Sequence, residues 1–216
     1  MAYPGYDEGL RPVCDPTAVA AVKERYGIEG DYFLYLGTLQ PRKNLVRLIA
    51  AFAHAGLGTP ILVLAGRPGW RGDEPAALAY RLGLQERVLF PHYVPQEDKA
   101  ALLSGALAFV FPSLHEGFGL PVLEAQACGC PVICSNTSSL PEVAGEGALL
   151  VDPTDTAALA AALAHIAQDA ALREELTERG YANLRRFSWQ QCARTVLGVC
   201  AQILGQEEIW LQRASL

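Results

Sequence analysis

Short apolar runs closed by glycine alternate along this chain with stretches whose apolar residues recur every three or four positions. Tyr32–Leu36 ends at Gly37 and Ile61–Ala65 ends at Gly66. Each run suits one buried strand and is too short for a buried helix. Between them Asn44 offers a helix cap, with Leu45, Leu48, Ile49 and Phe52 on one helical face behind it. The same reading predicts helices over Glu74–Leu82, Gln96–Leu103, Leu120–Ala127, Asp155–Gln168, Ala171–Arg179 and about Ser188–Leu204. It predicts strands over Arg87–Phe90, Leu107–Phe111, Pro131–Cys134 and Ala148–Val151. Pro121 falls in the first turn of its helix, where a missing N–H forfeits no hydrogen bond.

Strands alternating with helices predict an α/β fold, a doubly wound, Rossmann-like parallel sheet with helices on both faces. Such sheets bind ligands beyond the carboxyl ends of their strands. Chemistry is therefore expected around residues 37–44, 66–72, 92–96 and 112–121.

Composition narrows the partners. About half the residues are apolar (51%) and 19% are charged, as in an ordinary globular protein with a core. The net charge is −6 and the basic residues are scattered, which argues against nucleic acid or an anionic membrane as partner. The apolar stretches Gly105–Phe111 and Ala157–Ala164 are too short to be transmembrane segments, and no basic-then-apolar leader opens the chain. The six cysteines form no CxxC pair and have no histidine at zinc-finger spacing; they read as reduced, buried thiols of a cytoplasmic protein. His54, His92, His115 and His165 show no metal-ligand spacing, so no metal is expected. His54 and His165 read as helix-surface residues, whereas His92 and His115 fall in candidate site loops.

The strongest chemical signal is His115-Glu116-Gly117-Phe118-Gly119-Leu120-Pro121-Val122-Leu123-Glu124. It sets one carboxylate in a glycine-flanked loop and a second about one turn into a helix. Gly117 and Gly119 let backbone N–H groups approach a ligand, and the helix start behind them suits an anion. Glu116 would then sit beside a polar, uncharged part of that ligand and Glu124 could accept hydrogen bonds from hydroxyls, which fits a diphosphate with a sugar on one side and a ribose on the other. A second signal, Gly37-Thr38-Leu39-Gln40-Pro41-Arg42-Lys43-Asn44, follows the first strand. Arg42 and Lys43 can neutralise a leaving diphosphate, the one through a planar fork and the other as a point charge. Other phosphate motifs fail: there is no GxxxxGK[ST], and Val122 stands where a dinucleotide fingerprint needs a small residue. No G-x-S-x-G elbow of a hydrolase occurs.

At these residues the chain resembles glycosyltransferase family 4, whose mark is two glutamates separated by seven residues, here Glu116 and Glu124 within EGFGLPVLE. LYLGTLQPRKN at 34–44, VLAGRPGW at 63–70, VLFPHYVPQED at 88–98 and SNTSSLPEVAG at 135–145 are similar to the family as well. The resemblance implies the C-terminal half of a two-domain GT-B fold. Residues 1–12 would be a linker or chain start, 13–187 a nucleotide-sugar-binding domain, and 188–216 a terminal helix returning toward an N-terminal acceptor domain. Ile209 and Trp210 of that last segment would be left exposed.

The resemblance also implies roles. Arg42 and Lys43 would contact the donor diphosphate, and Glu116 the sugar near the reacting carbon; these three are the expected catalytic residues. Backbone groups at Gly117, Phe118, Gly119 and Leu120 would meet phosphate and sugar, Glu124 the ribose, and Val94 the base. Gly37 and Thr38 would line the site, with Thr38 replacing an arginine that some relatives carry, so that Arg42 and Lys43 would carry more of the charge. The implied activity is retaining transfer of a hexose, with mannose from a GDP-sugar favoured over a UDP-sugar, to a glycan or lipid-linked glycan acceptor, with no cofactor. The isolated chain would be inactive. A non-catalytic sugar-nucleotide-binding or docking module of the same fold is the alternative, and an epimerase or phosphorylase is a more distant one.

Overall fold

A computed structural model describes residues 1–204. In chain order the elements are α1 (Pro16–Arg25), β1 (Tyr32–Leu36), α2 (Leu45–His54), β2 (Ile61–Ala65), α3 (Glu74–Arg81), β3 (Val88–Leu89) and α4 (Gln96–Ser104). They continue with β4 (Ala108–Phe111), α5 (Leu120–Ala127), β5 (Val132–Ser135), α6 (Leu140–Ala144), β6 (Leu149–Val151), α7 (Thr156–Gln168), α8 (Ala170–Leu184) and α9 (Trp189–Leu204). The six strands form one parallel sheet in the order β3-β2-β1-β4-β5-β6. In register, Tyr32 pairs with Ile61 and Phe33 with Ala108. On the other side of the sheet Phe109 pairs with Val132 and Ile133 with Leu149.

This order reverses direction between β1 and β4, the switch point at which doubly wound sheets open a crevice for ligands. Both flanking strands are sealed. Tyr32, Phe33, Leu34 and Tyr35 of β1 and every residue of β4 are fully buried, as continuous apolar strands covered on both faces must be. Helices cover the sheet on both sides: α2 packs against α3 and α7, while α4 packs on α1 and α5 on α8. Burial of each large side chain contributes about 1.5–3 kcal/mol, so the β1–β4 seam is a rigid platform for the loops leaving it.

Most expected elements stand within a residue or two of their places. Three differ. Pro16–Arg25 and Leu140–Ala144 are helices that apolar spacing did not announce, and the helix expected over 171–179 runs on to Leu184. Asp155 caps α7, its carboxylate accepting from the N–H groups of Ala157 and Ala158. Asn44 does not cap α2 with its side chain. It adopts a left-handed backbone (φ 61°) and sends its amide elsewhere, a conformation asparagine tolerates better than other non-glycine residues. Ile209 and Trp210 lie outside the described residues. No helix among the described residues is long and apolar enough to cross a membrane.

Candidate functional site

Two loops leave the switch point, one after β1 and one after β4, and several bonds stitch them together. After β1 the chain makes a single 3-10 turn, Pro41–Lys43, just ahead of α2. The Leu114 N–H donates to the Arg42 carbonyl (2.8 Å) and the Arg42 guanidinium donates to the His115 carbonyl (3.0 Å). The buried Asn44 amide donates to the carbonyls of Pro112 and Pro153, tying the β4 loop and the loop after β6 to the start of α2.

Across this seam lies an ion triad. Lys43 Nζ stands 2.5 Å from Glu116 Oε1, and Arg42 stands 2.8 Å from Glu116 Oε2. Lys43 and Glu116 are buried, at 7% and 9% exposure, whereas Arg42 faces solvent. Lys43 is therefore not one of a pair of solvated surface charges. Its ammonium also lies 4.4 Å from the centre of the Phe111 ring, which attracts a cation. Burial pulls the Lys43 ammonium below the usual lysine value, and the Glu116 carboxylate opposes that pull. Burial pushes Glu116 upward, but hydrogen bonds from Lys43 and Arg42 outweigh it and hold the carboxyl below its usual range. Glu116 is thus an ionised acceptor at neutral pH and has no proton to give.

A third segment supports the glycine loop. The Glu116 N–H donates to the Ser138 hydroxyl (3.1 Å), and the Ser139 hydroxyl approaches the carbonyls of Glu116 and Phe118 at 3.0 and 2.7 Å. The Phe118 ring packs edge-on against Phe187 and near Tyr3. Anchored on both sides, the loop leads into α5 with no protein acceptor, among the described residues, for the N–H groups of Gly117, Phe118, Gly119 and Leu120. Free donors at a helix start are chemically suited to receiving an anion. Gly119 has φ 111°, and a side chain there would run into Leu140. At Gly117 a Cβ would meet nothing within 4 Å, so the protein itself does not require glycine there.

Beside the triad opens a cleft of about 570 Å³, lined by Gly37, Thr38, Gly66, Arg67, Tyr93, Val94, Lys99, Pro121 and Glu124 among others. Four of the expected site residues (Gly37, Thr38, Val94 and Glu124) meet here. Glu116, Arg42 and Lys43 are grouped at the triad. Gly66 brings the second loop against the first: its φ is 154°, and a Cβ would strike the Gly37 carbonyl. Its N–H donates to the carbonyl of His92 at 2.5 Å.

Sequence reading missed three cleft residues, Arg67, Tyr93 and Lys99. The Arg67 guanidinium lies over the Tyr93 ring, 4.7 Å from its centre, and Lys99 pairs with Glu124 at 2.5 Å. Arg67 and Lys99 bring two further positive side chains to the cleft that Thr38 lines. Only the placement of 66–72 and 92–96 beyond strand ends signalled the loops of Arg67 and Tyr93. Nothing in the spacing singled out Lys99.

The remaining candidates divide. His54 and His165 are exposed on helices, as expected, and His92 and His115 are exposed in the site loops. Cys128, Cys130 and Cys134 are buried, and burial pushes the Cys128 and Cys134 thiols up to about 12. Cys14 and Cys200 are exposed, against the expectation that the thiols are buried. Among the described residues no three His, Cys, Asp or Glu side chains converge as metal ligands.

Comparison with known proteins gives the family. The family profile described as "Glycosyl transferases group 1" matches residues 21–183. The chain is 41% identical over 181 residues to O-antigen chain mannosyltransferase B of Escherichia coli, covering 82% of this chain and 48% of that one. It is 36% identical over 205 residues to a D-inositol 3-phosphate glycosyltransferase of Acidothermus cellulolyticus, covering 88% and 46%. Among solved structures, sucrose-phosphate synthase from Thermosynechococcus elongatus superposes with a TM-score of 0.80 at 29% identity, over 94% of this chain and 52% of that one. Anabaena HepE, solved with UDP and glucose, superposes with a TM-score of 0.82 at 21% identity, over 92% and 55%, and shares the fold. The chain spans about half the length of the curated relatives it matches. A family match over most of the chain and a relative at 41% identity place it plainly: this chain belongs to the glycosyl transferases group 1, with a fold of the GT-B type.

Proposed function

We propose that this chain binds the donor of a retaining hexosyltransferase, an enzyme that moves a hexose from a nucleoside diphosphate sugar to a glycan or lipid-linked glycan. The observation that carries the reading is the buried Lys43–Glu116–Arg42 triad beside a cleft that holds Glu124. In this reading the nucleotide occupies the cleft, with Glu124 at the ribose and the Val94 backbone at the base. The diphosphate lies at the free N–H groups of 117–120, where Arg42 and Lys43 are shared between it and Glu116. The bond from the anomeric carbon to the phosphate oxygen breaks, and the electron pair leaves with the diphosphate. A bond forms to the acceptor oxygen, whose proton departs. The cations and N–H dipoles stabilise the leaving charge in place, without reorganisation during the step. Held ionised, Glu116 accepts hydrogen bonds from the hexose hydroxyls and faces the positive charge developing on the sugar.

The name of the Escherichia coli relative supports mannose as the hexose, and the donor proposed is its GDP-sugar. Acceptor contacts are assigned to a second domain of the GT-B pair, so the 216 residues alone would bind donor without turnover. The exposed free thiols Cys14 and Cys200 fit a cytoplasmic enzyme.

The test is calorimetric titration of the chain with GDP, UDP and ADP. Selective binding of one nucleotide is expected, weakened roughly tenfold or more by Lys43→Ala or Glu124→Ala, the scale of one charged hydrogen bond. Unchanged affinity in both variants would remove the site assignment.

A further inference from the structure

One ion pair stands inside the cleft, Lys99 with Glu124. Lys99 lies on α4 and Glu124 on α5, and their Nζ and Oε2 atoms are 2.5 Å apart. Their side chains are 19% and 18% exposed, so the pair stands in the wall of a crevice. Other ion pairs of the chain, Arg71–Glu74 and Arg179–Glu175, join near neighbours in sequence and are much more open to solvent. Pairs of that open kind contribute little to stability. Lys99–Glu124 instead bridges two helices at the mouth of the switch-point crevice, among Thr38, Arg67 and Tyr93.

An ionised carboxylate has two oxygens and about four acceptor positions. The Lys99 ammonium stands against Oε2 as an ion pair, and among the described residues no other side chain pairs with the carboxylate. A carboxylate left to turn about its last torsion offers its oxygens in many directions. One held by an ammonium at a single oxygen offers the other in one direction, and such fixing favours binding of a group that needs that direction.

We propose that Lys99 is a positioning residue that holds the Glu124 carboxylate so that Oε1 accepts from the ribose hydroxyls of the donor nucleotide. The inference rests on the reading of this cleft as a nucleotide site. It differs from a direct role of Lys99 on phosphate, which would act on all nucleotides alike.

The test compares GDP with 2′,3′-dideoxy-GDP, or the UDP pair if UDP binds better, by calorimetry on the wild-type chain, Lys99→Met, Lys99→Arg and Glu124→Gln. Thermal melts run alongside. The methionine keeps the aliphatic stem and removes the charge. The wild-type chain is expected to prefer the ribonucleotide by roughly tenfold, the scale of one charged hydrogen bond. Lys99→Met should shrink that ratio by roughly threefold or more at unchanged melting temperature, because only the aim of the acceptor is lost. Lys99→Arg should largely restore the ratio. Equal weakening of both nucleotides in Lys99→Met would overturn the inference in favour of direct phosphate contact, and an unchanged ratio would overturn it outright. If the wild-type chain binds no nucleotide, or Glu124→Gln leaves the ratio intact, the reading of the cleft itself fails and takes this inference with it.

Discussion

Lys43 and Glu116, 73 positions apart in the chain, meet at 2.5 Å across the point where the sheet reverses its strand order. The contact joins the loop after β1 to the loop after β4, and the neighbouring bonds of Arg42 and Asn44 hold the same two loops in register. Stability and the proposed donor binding therefore draw on one set of residues.

Lys43→Met is expected to destabilise the chain by about 3 kcal/mol, the lower part of the range for breaking a buried pair, because Arg42 still meets Glu116. Changing both members, Lys43→Met with Glu116→Leu, should recover much of that loss, since no buried charge is then left alone. Neither variant should bind nucleotide as the wild-type chain does. Urea unfolding read by circular dichroism measures the first effect and calorimetry the second. A double variant that sums the two single losses would show that the residues do not act as a pair.

Acid should weaken this contact in a defined direction. The Glu116 carboxyl is held below its usual value of about 4.3. Between the native and unfolded values the unfolded chain binds more protons, so stability rises with pH across that window. The contribution is complete above the usual carboxylate range and is lost as pH falls through the native value. The stability gap between the wild-type chain and Glu116→Gln should therefore close below about pH 4. A gap that stays constant from neutral to acid would mean that the ionised form is not favoured by folding.

The glycines should fall into two groups. Gly66→Ala forces a side chain into the Gly37 carbonyl at positive φ, and a loss of about 2 kcal/mol or more is expected. Gly117→Ala meets open space and should leave the melting temperature within a degree or so. Nucleotide affinity should fall all the same if, as proposed, the diphosphate lies against this loop, because the added methyl would obstruct it. If Gly117→Ala binds as well as the wild-type chain, the diphosphate does not lie against that loop.

Thiol chemistry gives a simple check on the packing. Cys14 and Cys200 should react with a disulfide reagent in the native chain, whereas Cys128, Cys130 and Cys134 should react only after unfolding. Rapid labelling of the buried three without denaturant would mean that the α5–β5 region opens readily.

Much of this protein was determined by the sequence alone. β1 and β2 were legible because five apolar residues closed by glycine suit a strand buried on both faces and little else. α5 was legible from a glycine loop followed by proline in the first turn. Glu116, Glu124, Arg42 and Lys43 stood out because charges and glycines together at strand ends are unusual where only a turn is needed. Tertiary structure decided what those charges do to one another. Local spacing carries no information about which strands lie side by side, so the meeting of Lys43 with Glu116 could not be read, nor the burial of either. Nothing in the spacing singled out Lys99, and Arg67 and Tyr93 were signalled only through the loops that carry them. They became a cleft only when parallel pairing brought the ends of β1, β2 and β3 and the starts of α4 and α5 around one space. Asn44 shows the same division: its type suited a local cap, but in the fold its Oδ1 accepts from the Arg47 guanidinium while its amide N–H groups donate to the Pro112 and Pro153 carbonyls.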